Sequence, residues 1–596
     1  MSVAEQSGNR ALASTGRGLR VTGAVATAAT AGWLITAILL AGRGLGKGNE
    51  GYYLLSYTYW DRNLRTFSGT QYLFGPVFDL LGNDISSLRI LRALLVLVVH
   101  IAFAVAFMRW LRLQRPHVAA GRAWEYAGTS VIVASGAVIY GWLPPTPGYN
   151  DVTLLGSFIL TTTILLALHR VATGAAVPLW VGVIFGLTAG SMLLAKPPSA
   201  VAIAFVAVVG VVALRGARAG TPTRLTTGAV VGLVAFAALI QVLVKPWSEI
   251  LPPMRDTLEV VATKSHPPLE TVGWYLESSL TIVLLAALVA LPVIGFALYL
   301  WRRPEQPPGR AVASGMLALV GSVAFAIAVG GTRAGDDNVS AYASGIVAMG
   351  LVVLTFTLVA RPHPDTPRSM STRAVALLLL AGPAVQGFGT NNAIYAIAVN
   401  GAAYWVALMV AGVTRQSSYR DSRYVVPAAA TGVAALLCVV VGVDGLTHDP
   451  ERHSLLGDVT TAADVPVLAD LRLPPTVADR YASMRRDLQP NLVGSEPPML
   501  AFGELSQYVF LLGGRPIGQT WYTSYDDGLN SADLRAACAD GNPWGERQPV
   551  VVADRELTAA ELRAWRTCGV EFETDYRDVT PAATPPGIRV LVNATR

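Results

Sequence analysis

The stretch LRILRALLVLVVHIAFAVAFMRWLRLQR, residues 88–115, decides what kind of fold this chain adopts. Its central part is apolar apart from His100, and Arg109, Arg112 and Arg115 follow at its end. An apolar run of about twenty residues is long enough to cross a bilayer as a helix, and arginines collect in the loops on the cytoplasmic side. The stretch therefore predicts a membrane-spanning helix that ends in the cytoplasm.

The same pattern recurs on both sides of this stretch. Apolar runs cover residues 21–41, 88–110, 126–144, 152–169, 177–195, 199–214, 226–244, 276–300, 311–330, 341–360, 374–389, 393–414 and 425–443. They predict about thirteen spanning helices, and the gaps between them alternate between arginine-rich and acidic. Residues 1–20 then form a cytoplasmic tail, 21–445 a transmembrane domain and 446–596 an extracytoplasmic domain.

Composition supports a membrane protein and excludes several other classes. Of 596 residues, 53% are hydrophobic and 14% are charged, where soluble proteins carry roughly 25% charged residues. The net charge is +6, and the arginines fall mainly in short gaps between apolar runs. This distribution gives no clustered basic surface for nucleic acid. Seven His and three Cys leave little material for a metal cluster, so no metal ligands are predicted.

The last 150 or so residues turn polar and predict a small α/β domain. Short strands are expected at 498–502, 549–553, 570–573 and 588–592, and helices at 475–488, 531–539 and 558–567. Cys538 and Cys568 fall in this domain, where an oxidising compartment would let them pair. Two separate thiols are the alternative. The predicted fold class is therefore an α-helical polytopic membrane protein with a C-terminal extracytoplasmic α/β domain.

The polar residues that could carry chemistry concentrate in the long loop 42–87, after the first span. Glu50, Asp61, Arg62 and Arg65 place acids and cations at one membrane edge. Such a set can deprotonate a hydroxyl and hold an anionic lipid head group. An aromatic belt with solvated charges is the plainer interpretation. A transporter would need ionisable groups in mid-membrane, and His100 is the clearest interior candidate.

Four short motifs resemble one family of membrane enzymes. These are the Glu-Gly-Tyr-Tyr run at 50–53, Gly75-Pro76, the Ser-Leu-Arg-Ile-Leu-Arg run at 87–92, and LLAKPPSA at 193–200. They look like the GT-C superfamily, and more narrowly glycosyltransferase family 39, with the protein O-mannosyltransferases and the aminoarabinose transferase of lipid A. The resemblance implies inverting transfer of a sugar from a polyprenyl-phosphate donor to an acceptor on the outer face.

The resemblance also implies roles for residues. The family opens its first outer loop with an acidic pair whose leading Asp is the base, whereas this chain has Asn49-Glu50. Glu50 is expected to take that role, with Asp61 and Asp151 as substitutes; a capping or solvated carboxylate is the alternative for each. Lys196 corresponds to the family's phosphate-side lysine, and Arg62 and Arg65 are expected to assist it. A lysine that snorkels at a span end is the plainer interpretation of Lys196.

Substrate contacts are expected from the same region of the predicted outer face. The candidates are Asn49, Tyr53, Asn150 and His266. No cofactor is expected to be required, although a divalent metal stays open. The predicted partners are the lipid-linked sugar, a glycan, lipid or protein acceptor of the cell envelope, and membrane lipid. The location expected is the plasma (inner) membrane.

Two other functions stay open at this point. The chain could be a transporter or flippase of lipid-linked precursors, although its spans hold few ionisable groups. It could also be a catalytically silent scaffold for envelope assembly, since Asn49 replaces the family's leading Asp.

Overall fold

The structure is a computed structural model. It describes residues 3–46, 49–62, 68–115, 122–217, 220–264, 268–302, 315–316, 319–320, 338–359, 369–390, 392–414, 422–448, 454–462, 464–522, 528–539, 543–544 and 547–594.

The part of the chain up to residue 447 is helical. Its α-helices are α1 Val3–Leu40, α2 Asn49–Thr58, α3 Gln71–Leu80, α4 Ile85–Gln114, α5 Arg122–Ser135, α6 Tyr149–Ala172, α7 Leu179–Ala195, α8 Ala200–Ala213, α9 Gly220–Leu243, α10 Trp247–Lys264, α11 Pro268–Arg302, α12 Asn338–Val359, α13 Met370–Val385, α14 Ile394–Ala398, α15 Ala402–Val413 and α16 Ser422–Thr447. Short 3-10 helices at Gly136–Gly141, Pro197–Ser199 and Val399–Gly401 join some of them.

Length and composition qualify several of these helices as membrane spans. Seven described helices are long and apolar enough to cross a bilayer, and four shorter apolar ones accompany them. Twelve of the predicted apolar runs lie on described helices, whereas 311–330 falls largely outside the described residues. The prediction of a polytopic helical membrane protein is confirmed.

The predicted run 126–144 is not one continuous α-helix. The chain changes to a 3-10 helix at Gly136, because glycines let neighbouring helices come very close there. A Cβ on Gly136 would lie 2.6 Å from the His100 ring, and Gly445 of α16 abuts the Tyr140 carbonyl. Close backbone approach of this kind is open to glycine alone among the residues.

The C-terminal part is an α/β domain built on a five-stranded sheet. Its strands, after a small pair β1 Thr460–Thr461 and β2 Arg472–Leu473, are β3 Pro498–Phe502, β4 Arg515–Pro516, β5 Val550–Ala553, β6 Tyr576–Asp578 and β7 Arg589–Asn593. The sheet order is β4-β3-β5-β7-β6, with β4, β3 and β5 parallel and the other two pairings antiparallel. Its helices are α17 Pro475–Leu488, α18 Ser506–Leu511, α19 Leu529–Ala537, α20 Ala559–Thr567 and α21 Phe572–Asp575.

The predicted strand at 570–573 is wrong. Phe572–Asp575 forms a helical turn, and the strand begins only at Tyr576. The alternation of apolar and acidic residues is typical of a strand. In the structure, however, the Glu571 N–H donates to Asp575 Oδ2 at 2.9 Å, which caps a helical turn. The Phe572 ring packs on Trp565, with centroids 5.3 Å apart. Local capping and aromatic packing therefore outweigh the alternating pattern.

A disulfide joins two helix ends of this domain. Cys538 follows α19 and Cys568 follows α20, with their Cα atoms 5.3 Å apart. The third cysteine, Cys438, is a free thiol buried in α16.

The first loop, residues 42–87, and the C-terminal domain share one hydrophobic core. Leu54 and Leu55 of α2 pack in the same buried cluster as Leu468 and Tyr508 of the C-terminal domain. At the domain border, the Gly44 N–H donates to the Arg472 carbonyl at 2.9 Å. The loop and the domain therefore form one packed unit.

Two further contacts join α2 to the segment after β4. The hydroxyls of Ser56 and Thr520 form a buried hydrogen bond of 2.8 Å. The rings of Tyr52 and Trp521 meet edge to face at 5.1 Å.

Gly51 permits a very close contact between these two parts. A Cβ on Gly51 would lie 2.5 Å from Gln507 Cα and 2.7 Å from Gln507 N, both backbone atoms of α18. No side-chain movement relieves such a clash, so α2 or α18 would have to shift.

We expect Gly51→Ala to loosen the C-terminal domain. Gly→Ala inside a helix normally adds about 1 kcal/mol of stability, but here the clash with Gln507 should lower the melting temperature and expose 446–596 to protease. Gly32→Ala in α1 is the matched control, because nothing lies within 4 Å of its Cβ. Equal melting temperatures for the two variants would contradict the close packing.

Candidate functional site

Glu50 lies in the first turn of α2 with its side chain fully buried. Its Oε1 accepts hydrogen bonds from Arg89 Nε at 3.0 Å and Thr146 Oγ1 at 2.5 Å. Its Oε2 accepts from Arg89 Nη2 at 2.9 Å and Gly46 N at 2.6 Å. A carboxylate offers about four lone-pair positions. Both oxygens of Glu50 are therefore engaged within the protein.

Arg89, on α4, is equally engaged. Besides Glu50, its Nη1 donates to the carbonyls of Ala41 and Arg43 at 2.8 and 2.9 Å, and its Nη2 donates to Gly44 at 3.0 Å. All five N–H donors of the guanidinium thus have acceptors. The ion pair fixes the chain that leaves α1 to both α2 and α4.

Asp151 belongs to a second buried ion pair, one helical turn further along α4. Arg92 Nε donates to Asp151 Oδ1 at 2.8 Å, and the Gly148 N–H donates to Oδ2 at 2.9 Å. The Arg92 guanidinium also lies 4.2 Å from the centroid of the Tyr140 ring. Asp151 lies in the first turn of α6, where the helix dipole stabilises a carboxylate.

Asp61 differs from these two carboxylates because its side chain is 55% exposed and its contact with Arg62 Nε is long, at 3.9 Å. The Lys245 ammonium donates to the Asp61 carbonyl at 3.0 Å. Arg62 reaches the C-terminal domain, where its Nη1 donates to Glu496 Oε2 at 3.0 Å. Arg65 lies outside the described residues.

The predicted substrate contacts are divided between surface and interior. Asn49 is exposed at the first position of α2. Tyr53 is buried, with its ring centroid 6.1 Å from that of Tyr149. Asn150 is buried in the first turn of α6. His266 lies outside the described residues.

Lys196 occupies the short connection between α7 and the 3-10 helix Pro197–Ser199, outside both apolar helices. Its side chain is buried, and its ammonium has no hydrogen-bond partner among the described residues. Its nearest aromatic contact is the Tyr149 ring, whose centroid is 5.8 Å from Nζ. Burial lowers the pKa of Lys196 to about 8. A buried cation without a counter-charge is costly and is suited to an anionic ligand.

The first loop covers the end of α7 beside Lys196. Ser68 Oγ donates to the Ala195 carbonyl at 2.7 Å, and Gly69 packs against the Leu194 carbonyl. A side chain at position 69 would push the loop away from α7. The loop therefore closes over the segment that carries the lysine.

An open apolar groove lies next to this segment, between α7, α9 and α10. Its volume is ≈ 1080 Å³. It is lined by Gly190, Leu193, Leu194, Pro197, Leu233, Phe236, Ala237, Trp247, Leu251, Pro252, Met254 and Arg255. Arg255 is the single charged residue of this lining. The groove can take an extended apolar chain whose charged end approaches Pro197 and Arg255.

Asp61 is close to this groove through its neighbour Trp60. Trp60 packs against the buried cluster that contains Leu194 and Phe236, both groove-lining residues. Asp61 therefore follows a residue that packs beside the groove, and its carboxylate is exposed.

Sequence reasoning missed the partners of the carboxylates. Arg89 and Arg92 form part of a quoted motif, but the ion pairs with Glu50 and Asp151 were not predicted. The available signal is two arginines three residues apart at the start of an apolar run. Buried arginines are almost always paired with an acid. The position of these two arginines could therefore have indicated buried carboxylates as their partners. Tyr149 and the groove were also missed.

Among the described residues, no three His, Cys, Asp or Glu side chains come together as metal ligands.

The fold and the site define a multi-pass helical membrane protein that holds a buried lysine beside an apolar groove. A solved structure that is similar to this chain is the crystal structure of ArnT from Cupriavidus metallidurans in the apo state. The similarity has a TM-score of 0.41 and 14% sequence identity, and it covers 97% of this chain and 98% of that chain. No family model and no curated protein matches the chain.

The Arg89–Glu50 pair gives a prediction for stability. Arg89→Met strands a buried carboxylate and should cost about 3–5 kcal/mol of unfolding free energy. Arg89→Met combined with Glu50→Leu should cost less than the sum of the two single changes, because neither charge is then left alone. The measurement is denaturant unfolding of the purified protein.

The exposed pair Arg62–Glu496 serves as the control for this cycle. Its side chains are 57% and 42% exposed, so Arg62→Met should change stability by no more than about 1 kcal/mol. Strict additivity of the two buried changes would show that the pair contributes no coupling.

Proposed function

We propose that this protein is an integral membrane glycosyltransferase. It transfers a sugar from a polyprenyl-phosphate donor to a cell-envelope glycan, lipid or protein on the outer face of the plasma (inner) membrane. The observation that carries the proposal is the buried ammonium of Lys196, which has no hydrogen-bond partner among the described residues and whose chain neighbours Leu194 and Pro197 line the apolar groove. A cation and a long apolar surface in one place match a phosphate attached to a prenyl chain.

The donor phosphate would gain most from Lys196 during the reaction. As the bond between the anomeric carbon and the phosphate oxygen breaks, its electron pair stays on the phosphate and negative charge grows there. An ammonium that is already in place and shielded from water stabilises that charge without reorganisation. Arg255, exposed in the groove, would attract the phosphate as the lipid enters.

The proton acceptor in this proposal is Asp61. A general base needs a lone pair within reach of the acceptor hydroxyl. Both oxygens of Glu50 and of Asp151 already accept hydrogen bonds, whereas Asp61 is exposed. Asp61 takes the hydroxyl proton while the oxygen attacks the anomeric carbon opposite the phosphate. This geometry inverts the configuration of the sugar. Glu50 and Asp151 act as positioning residues.

The functional test is lipid and glycan mass spectrometry on cells that lack the protein. We expect a polyprenyl-phosphate sugar to accumulate and one envelope sugar to disappear. Wild type should restore both, whereas Lys196→Met and Asp61→Asn should each lower transfer by at least about 100-fold, typical of removing a charge-stabilising group or a base. Asp458→Asn, which alters an exposed carboxylate of the C-terminal domain, should restore both.

Three outcomes would overturn parts of this proposal. An unchanged lipid and glycan profile in the absence of the protein contradicts the enzyme and favours a scaffold. Full rescue by Asp61→Asn removes Asp61 as the base. Full rescue by Lys196→Met removes the phosphate site.

The pKa of Lys196 predicts the pH dependence of donor binding. The ammonium is charged below a pKa of about 8, so affinity for a singly charged polyprenyl phosphodiester should be highest below this pH. It should weaken as pH rises through 8, by up to tenfold per pH unit. Titrating the protein with such a lipid between about pH 6 and pH 10 measures this.

Lys196→Arg is the control for the titration, because a guanidinium stays charged throughout this range. Its binding should be nearly independent of pH. A wild type whose affinity is the same on both sides of pH 8 would show that Lys196 does not hold the phosphate.

A further inference from the structure

Asn150, the residue after Tyr149 in α6, carries a second unsatisfied polar atom among the described residues. Its side chain is 8% exposed, and its Oδ1 has no hydrogen-bond donor among the described residues. Buried amide oxygens are nearly always hydrogen-bonded in folded proteins. An acceptor left open in a buried position is suited to a ligand that brings its own donor.

The helix pair α6 and α7 places Asn150 and Lys196 at the same end. The two helices are joined by a short connection, 173–178, and a Cβ on Gly156 would lie 2.6 Å from Met192 Cγ. From that contact, Asn150 lies six residues towards the start of α6 and Lys196 lies four residues on, just past the end of α7, so both lie towards the same end of the helix pair. Tyr149, the neighbour of Asn150, is the aromatic residue beside the ammonium.

The two open groups are chemically complementary to one molecule. An ammonium binds a phosphate, and an amide oxygen accepts a hydrogen bond from a hydroxyl. In a sugar phosphate, these two groups are only a few bonds apart. A ligand whose phosphate contacts Lys196 would carry its sugar past Tyr149 toward Asn150.

We propose that Asn150 Oδ1 accepts a hydrogen bond from a hydroxyl of the donor sugar while Lys196 holds the adjoining phosphate. The inference rests on the proposed glycosyltransferase function and adds how the site distinguishes a loaded donor from the spent lipid. Release of the sugar leaves Asn150 without its donor, so the product polyprenyl phosphate binds less tightly than the loaded lipid. Asn150 is therefore a specificity residue for the sugar.

The experiment compares two kinds of lipid on the full-length protein in detergent. One probe is farnesyl phosphate, which has no sugar, and the others are farnesyl phosphoryl mannose, glucose and arabinose. We expect Asn150→Ala to weaken binding of the best sugar-bearing probe by roughly 5- to 50-fold, the effect of one buried hydrogen bond. Binding of farnesyl phosphate should stay within twofold. Lys196→Met should weaken all probes.

The outcomes separate this inference from the function on which it rests. If no probe binds the wild type, the proposed function fails. If the probes bind and need Lys196, but Asn150→Ala affects phosphate and sugar phosphate equally, only the role of Asn150 fails.

A second measurement covers an Asn150→Ala variant that does not fold. Probes that lack one sugar hydroxyl at a time are titrated into the wild type. One deoxy probe should lose roughly the same 5- to 50-fold in affinity. Equal affinities across the series would overturn the inference.

Discussion

The ion pair between Arg89 and Glu50 holds together the three segments on which the site depends. From α4, the Arg89 guanidinium donates three hydrogen bonds to the chain that leaves α1 and two to Glu50 in the first turn of α2. Desolvating two charges is expensive, and a buried pair repays that cost only when its remaining donors and acceptors are satisfied. The donors and acceptors of this pair are satisfied, so the beginning of the first loop is held in place.

The C-terminal domain supports the same loop from the opposite side. Arg89 of α4 holds the beginning of α2 through Glu50, and α18 packs against the side of α2, where Gly51 and Gln507 meet. A loop that binds a lipid would ordinarily be mobile, since loops with few buried contacts open easily. This loop is held by charge at one end and by a shared hydrophobic core along α2. The α/β domain thus belongs to the architecture of the site, although it supplies none of the residues proposed to touch the donor.

Much of the fold could be predicted from the sequence, because span length and hydropathy are local properties. The helix Pro475–Leu488 and the strand Pro498–Phe502 lie where they were predicted. The strand predicted at 570–573 is wrong because a local cap and a stack of aromatic rings outweigh the alternating pattern. The break at Gly136 depends on helices from distant parts of the chain.

The candidate site was predictable only in part. The polar residues of the first loop pointed to Glu50, and the family resemblance implied roles for Glu50 and Lys196. Their surroundings depend on partners far away in sequence: Arg89 and Thr146 surround Glu50, while Tyr149 and the covering loop surround Lys196. Only the fold shows that the Glu50 carboxylate is saturated with hydrogen bonds and that the Lys196 ammonium has none within the described part of the chain. The two charged residues that the sequence singled out alike therefore differ in what they can do.

The shared core of α2 and the C-terminal domain also affects how the chain is made. α18 leaves the ribosome roughly 450 residues after α2, which corresponds to roughly 20–90 s at ordinary rates of synthesis. Throughout that interval, the apolar face of α2, with Leu54 and Leu55, lacks the partner that finally buries it. The membrane interface or a chaperone must shield this face until synthesis is nearly complete. A truncated chain that keeps every span but lacks the C-terminal domain would leave this face of α2 without the partner that buries it.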